Sequence, residues 1–200
     1  MLPSFRLHER LRAVTALYPK AMESFLDLGC CRGYFVLEAA GRSGCRTATG
    51  IDVYEPFVST SNRVCRCLDV AAARFYLAGL EDVAGEPESY GGPFNVVLLL
   101  GTYHYLYWGS RLCPSAYHDH REILSRLFRV CAGRLIFSAR LEVDRLPGSL
   151  RADARASGKA SDYSEARFLG AAEEFFDVRQ AGRLGRDSLL VMSTKGTAEE

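Results

Sequence analysis

The 200 residues carry 25 Lys or Arg against 24 Asp or Glu, a formal net charge of +1. That balance gives no global attraction to nucleic acid or to an anionic membrane surface. With 48% hydrophobic and 24% charged residues the chain reads as one globular domain over residues 1–200 with a single sizeable core, and not as a disordered one. Seven cysteines, an odd number at uneven spacing, suit a reduced, cytoplasmic protein better than a disulfide scaffold. The first 20 residues have no apolar h-region of a signal peptide, and the longest apolar run, "FNVVLLLG", is far too short to span a bilayer.

In chain order, "FRLHERLRAVTALY" (5–18) spaces Leu7, Leu11, Val14, Leu17 and Tyr18 as an amphipathic helix, giving an N-terminal helical segment within residues 1–20. "SFLDL" (24–28) is a strand, followed by a Gly-Cys-Cys-Arg-Gly turn and a helix over about 33–41. "TATGID" (47–52) is a second strand, 56–68 a helix with Pro56 in its first turn, and "ARFYLAG" (73–79) a third strand. "EDVAGEPESYGG" reads as loop. "FNVVLLLG" (94–101), apolar throughout, is a strand at the centre of a parallel sheet. A helix over 117–131, a strand over 134–140, a loop-like segment over 140–162 and a helix over 164–176 follow. Two strands (177–183 and 188–194) then form a hairpin. This alternation predicts an α/β, Rossmann-like doubly wound sheet of seven strands, mostly parallel, with an antiparallel C-terminal edge hairpin.

Ligands in such sheets bind at the carboxyl ends of the strands, near the point where strand order reverses. Gly29 follows the first strand where a tight turn needs positive φ, and Gly33 opens the helix where a side chain would hinder packing. Asp27 offers a carboxylate to a cationic group, and the N–H groups from Cys30 to Tyr34 suit an anionic one. Asp52 ends the second strand roughly 20 residues after Gly29, the separation at which an acid meets ribose hydroxyls. A dinucleotide loop wants G-x-G-x-x-G, but Cys31 and Val36 replace its second and third glycines. A pyrophosphate is disfavoured. A ligand with an ammonium and a carboxylate but no phosphates fits better.

"FLDLGCCRGYFVLEAA", "ATGIDVYEP" and "PFNVVLLLGTYHYL" together resemble motifs I, II and IV of the class I S-adenosylmethionine-dependent methyltransferases, over roughly residues 24–140. The resemblance implies strand order 3-2-1-4-5-7-6 and S-adenosylmethionine as methyl donor, with S-adenosylhomocysteine as product. By transfer, Asp27 and Gly29, with the turn residues Cys30, Cys31 and Gly33, would meet the methionine moiety. Asp52 and Val53 would meet the ribose, Leu80, Glu81 and Asp82 the adenine, and Leu100 and Gly101 would close the end of motif IV. Many members have Asp where this chain has Leu80. "GLEDV" and "FNVVLLLGTYHYL" are also locally similar to the tRNA wobble-uridine carboxymethyl transferase branch, with the Tyr–His pair reversed as His104–Tyr105. That branch has a substantial N-terminal extension, whereas only 23 residues precede motif I here.

Methyl transfer depends mainly on aligning acceptor and donor, and a base is needed only when the acceptor must lose a proton. His104 is the first candidate for such a base, flanked by Tyr103 and Tyr105. Tyr103, Tyr105, Tyr107, Trp108 and Tyr117 either wall a pocket for a planar or apolar acceptor or pack as a lid over the sheet's edge. Arg140 opens a segment that carries Arg145, Arg151, Arg155 and Lys159, which either covers the site and holds an anionic substrate or is solvated. Adjacent Cys30–Cys31 and Cys65-x-Cys67 are poorly spaced for zinc, so no metal is expected, although a thiol at this helix start is a candidate for easy alkylation. "HDH" (118–120) reads as a solvated first turn with Asp119 favouring the helix dipole. The expected function is methyl transfer to a small-molecule acceptor, without an appended domain for macromolecules and without a membrane partner. An RNA-modifying enzyme and a noncatalytic cofactor-binding protein are the alternatives.

Overall fold

A computed structural model describes residues 3–195 of the chain, with side chains from residue 7 onward. Its centre is β4 (Phe94–Leu100), an apolar strand that pairs in parallel with β1 (Ser24–Leu28) on one side and β5 (Cys131–Ser138) on the other. Beyond β1 lie β2 (Thr47–Asp52) and β3 (Ala73–Leu77), also parallel. Beyond β5 lies β7 (Asp187–Thr194), antiparallel, and β6 (Phe176–Leu184) pairs with it at the edge. The resulting seven-stranded order is 3-2-1-4-5-7-6, as the resemblance implies.

Both faces of the sheet are covered, and the pleat of β4 divides its side chains between them. Val97 and Leu99 enter one cluster with Ile123, Leu127 and Phe137, while Val96, Leu98 and Leu100 enter the other with Val14, Phe25 and Val36. A register irregularity at Asn95 lets Phe94 join the first cluster. It also turns the Asn95 carboxamide to β1, where its oxygen accepts from Glu23 N and Ser24 N at 3.0 Å each. Helices α1 (Pro3–Thr15), α2 (Tyr34–Ala40) and α3 (Glu55–Leu68) contribute to the second cluster. Helices α4 (Leu80–Gly85), α5 (Tyr103–Trp108), α6 (His120–Val130), α7 (Gly148–Ala156) and α8 (Glu165–Ala172) contribute to the first.

Several expectations are corrected. The first helix ends at Thr15, and Leu7 is 39% exposed instead of lying on the buried stripe; residues 1 and 2 lie outside the described residues. The stretch after β3 is not a loop: α4 starts at Leu80, where the Asp82 carboxylate accepts the Gly79 N–H at 2.8 Å. The segment 140–162 is not a loop either. A 3-10 turn at Val143–Arg145 and then α7 occupy it, because Leu146, Leu150 and Ala154 are buried against the first cluster. Asp119 does cap α6, accepting from Arg121 N at 2.7 Å and Glu122 N at 3.2 Å. His120, by contrast, is buried among Tyr103, Tyr107, Tyr163 and Phe168.

Phe168 is fully buried, stacks on Phe137 at 4.4 Å and meets the edge of Tyr103 at 5.1 Å. Phe168→Ala is expected to cost about 3–5 kcal/mol through lost burial and the cavity left behind. A urea titration followed by circular dichroism would detect the lowered midpoint, and an unchanged midpoint would refute this account of the core.

Candidate functional site

A cleft of about 1540 Å³ runs along the carboxyl ends of β1, β2, β3 and β4. Gly29 and Cys31 form its floor after β1, Asp52 to Tyr54 after β2, Leu77 to Asp82 after β3, and Leu99 and Thr102 flank the end of β4. Its far wall is the segment Tyr105–Ser115 with Tyr117, joined by Ser149, Leu150 and Asp153 of α7.

The glycine turn is shaped by its neighbours. Gly29 has φ 77°, and a Cβ there would collide with the Thr102 side chain; Gly33 has φ 73°, and a Cβ there would collide with the ring of Phe75. Both positions therefore exclude side chains by conformation and by space. Cys31 also takes positive φ, at 52°, and its N–H donates to Asp52 Oδ2 at 2.9 Å. Asp52 Oδ1 accepts the Tyr54 N–H, also at 2.9 Å. Two backbone donors thus hold the Asp52 carboxylate in one orientation at the cleft floor, and each oxygen retains a further lone pair for a ligand hydroxyl.

Of the residues expected at the donor site, Gly29, Cys31, Asp52, Val53, Leu80, Glu81 and Asp82 line the cleft. The others do not. Leu100 points to the opposite sheet face and Gly101 lines a second cavity, because the pleat presents Leu99 to the cleft. Cys30 is buried behind the turn, its sulfur where a Cβ on Gly50 would lie. Burial drives the Cys30 thiol pKa far up, which corrects the expectation of easy alkylation at that position. Glu81 is occupied: its carboxylate accepts from Tyr117 OH at 3.0 Å and Arg126 Nε at 2.9 Å, and these partners keep it ionised below the usual carboxylate range. Asp82, with one oxygen on Gly79 N, is the freer acid.

Asp27 lies beneath the turn, 5% exposed. Burial raises its pKa to about 7; the charge of Arg10 on α1 works against this and that of Asp52 adds to it.

The residues expected to act on the acceptor are split up by α5. Tyr105 is 40% exposed and lines the cleft, as does Trp108, whose indole N–H is buried without a partner. Tyr103 and Tyr107 turn into the core on the opposite side of the helix. The Tyr103 hydroxyl lies 2.6 Å from His120 Nδ1, so neither a catalytic Tyr103 nor a substrate-lining Tyr107 agrees with this packing. His104 is 2% exposed, and neither ring nitrogen has a hydrogen-bond partner. Its ring lies 4.2 Å from that of Tyr105, and burial followed by the nearby Arg140 charge lowers its pKa to about 4. The imidazole is therefore neutral at physiological pH and lines neither cavity. Arg140 faces the second cavity and not the cleft. Thr102 and Phe57 were not legible as site residues, because nothing in their spacing signals a role; Ser149, Leu150 and Asp153 fall in the 140–162 segment, for which covering the site was one of the two expectations, and they line the cleft from a helix, not a loop.

No protein-family profile and no curated protein sequence matches the chain. Its fold is that of the S-adenosylmethionine-dependent methyltransferases. The N-terminal domain of EvdMO1, solved with S-adenosylhomocysteine bound, superposes with a TM-score of 0.65 at 17% identity, over 94% of this chain and 80% of that one. Geranyl diphosphate methyltransferase in complex with S-adenosylmethionine gives 0.60 at 15% identity, over 93% and 86%. The bifunctional kinase-methyltransferase WbdD gives 0.62 at 18% identity; 94% of this chain is covered but only 38% of WbdD. No helix among the described residues is long and apolar enough to cross a membrane.

The buried Asp27 has a consequence for stability. Its folded pKa lies above the usual 3.8, so the unfolded chain releases this proton first as pH rises. Stability attributable to the protonated carboxyl is present below about pH 4 and lost as pH climbs through about 7, an effect on the order of 4 kcal/mol. Urea unfolding at pH 5 and pH 8 should show a smaller fall for Asp27→Asn than for the wild type. Equal falls in the two proteins would contradict a raised Asp27 pKa.

Proposed function

We propose that the chain is an S-adenosylmethionine-dependent methyltransferase acting on a small-molecule acceptor. The observation that carries this reading is the Asp52 carboxylate, fixed by the Cys31 and Tyr54 N–H groups at the floor of the cleft. An acid so placed suits the vicinal hydroxyls of a ribose, and the apolar Val53, Ala78 and Leu80 beside it suit a purine face. Asp82 is close at hand for an exocyclic amine. The glycine turn, packed against Thr102 at Gly29, presents its backbone at the cleft floor to the amino acid end of the same ligand.

Bound there, S-adenosylmethionine supplies an electrophilic methyl group. Asp27, ionised by the arrival of an ammonium, would anchor the donor's methionine end beneath the turn, and Asp52 would set its depth in the cleft. Chemistry then rests on alignment, for which no strong base is required. Among the aromatic residues after β4, Tyr105 and Trp108 are the ones that present surface to the cleft. Methyltransferases of the same fold bind S-adenosylhomocysteine or S-adenosylmethionine, which supports the donor; their identities, 15% to 18%, leave the acceptor to this chain's own residues.

Titration calorimetry with S-adenosylhomocysteine tests the assignment. Asp52→Ala removes hydrogen bonds to a charged acceptor, and affinity is expected to fall roughly 10- to 100-fold. An unchanged affinity would remove the ribose site. Binding should also strengthen as pH rises from 6 to 8, because Asp27 must lose its proton to pair with the ammonium, and this dependence should vanish in Asp27→Asn.

A further inference from the structure

A second cavity, of about 760 Å³, lies at the carboxyl ends of β4 and β5. It lies beside the cleft at the end of β4: Leu99 and Thr102 line the cleft, whereas Gly101 between them lines this cavity. Its walls are one side of α1, Ser138 at the end of β5 with Arg140 after it, and the tip of the β6–β7 hairpin.

The charge in this cavity is unbalanced. Four guanidinium groups, those of Arg10, Arg140, Arg183 and Arg186, share it with the carboxylates of Glu9 and Asp187. Asp187 is already taken, since Arg145 Nη2 donates to its Oδ1 at 2.5 Å. Arg183 donates to the Arg186 carbonyl at 2.6 Å and Arg10 to the Leu100 carbonyl at 3.4 Å, so neither is neutralised by these bonds. Arg140 and Arg186 have no carboxylate partner among the described residues. The hairpin holds the group in place: its two strands turn tightly at Gly185, and Asp187 ties the tip to the 3-10 turn before α7. Arginines gathered on a concave wall without counter-charges focus a positive potential, and their planar forks match carboxylate and phosphate oxygens.

We propose that this cavity binds a carboxylate or phosphate group of the acceptor through Arg140, Arg183 and Arg186, bringing the acceptor to the donor cleft past Gly101. The word "acceptor" rests on the methyltransferase reading, whereas the anion site stands on the arginines alone.

Calorimetry at low salt with inorganic pyrophosphate, and separately with citrate, tests the site and distinguishes phosphate from carboxylate recognition. One of the two probes should bind the wild type, and Arg183→Gln and Arg186→Gln should each weaken it about tenfold or more. Arg63→Gln, an exposed change on α3, should leave that affinity unaltered. S-adenosylhomocysteine affinity should stay within about twofold in both cavity variants. Failure of both probes to bind, or binding by Arg183→Gln and Arg186→Gln as tight as that of the wild type, overturns the proposal; so does loss of S-adenosylhomocysteine affinity in these variants, which would give the arginines to the donor. S-adenosylhomocysteine binding without anion binding refutes the anion site and leaves the methyltransferase reading intact. Anion binding that depends on the arginines, with no S-adenosylhomocysteine binding, supports the site and refutes that reading.

Discussion

The side-by-side parallel pairing of β1 with β4 is the constraint on which the rest of the molecule depends. The chain leaves β1 for α2 on one face and leaves β4 for α5 and α6 on the other, so a crevice opens where the two paths separate. Leu26 to Leu28 and Val96 to Leu100 are nearly devoid of exposure, because a strand covered on both faces has no solvated side. Asn95 anchors the entry to the pair by satisfying the backbone at Glu23 and Ser24. At the exit, Thr102 fills the space that a side chain on Gly29 would need. The floor of the cleft follows from that contact.

Electrostatics divide the carboxyl edge of the sheet into two unlike regions. Over β1 to β3 the charges are acidic and already oriented, with Asp52 held by two N–H groups and Glu81 by Tyr117 and Arg126. Over β4 and β5 they are basic and largely unmatched. The end of β4 separates the two regions by the alternation of a single strand.

Much of this was legible beforehand, for reasons that differ by element. β1 and β2 match their expected bounds because Asp-Leu-Gly and Gly-Ile-Asp close apolar runs sharply. The place of Asp52 at the cleft floor was legible because it depends on strand order and spacing. α4 and α7 were not, since each is short and rich in charged or small residues. Only the burial of Leu80 and Val83, or of Leu150 and Ala154, makes them helices. The aromatic stretch after β4 was read as one surface, but as a helix it sends Tyr103 and Tyr107 four residues apart into the core and Tyr105 outward.

The sequence by itself determined the alternation of strands and helices, the sheet order that its family resemblance implied, and an acid and a glycine turn at the cleft floor. These follow from local periodicity and from backbone demands that few residue types meet. Tertiary structure alone decided that Leu99 faces the cleft in place of Leu100 and that Asp27 is buried beneath the turn. It also decided that Arg140 joins Arg183 and Arg186 from a distant hairpin. Pleat phase, desolvation and the meeting of remote segments are properties of packed neighbours, and spacing along the chain carries no trace of them.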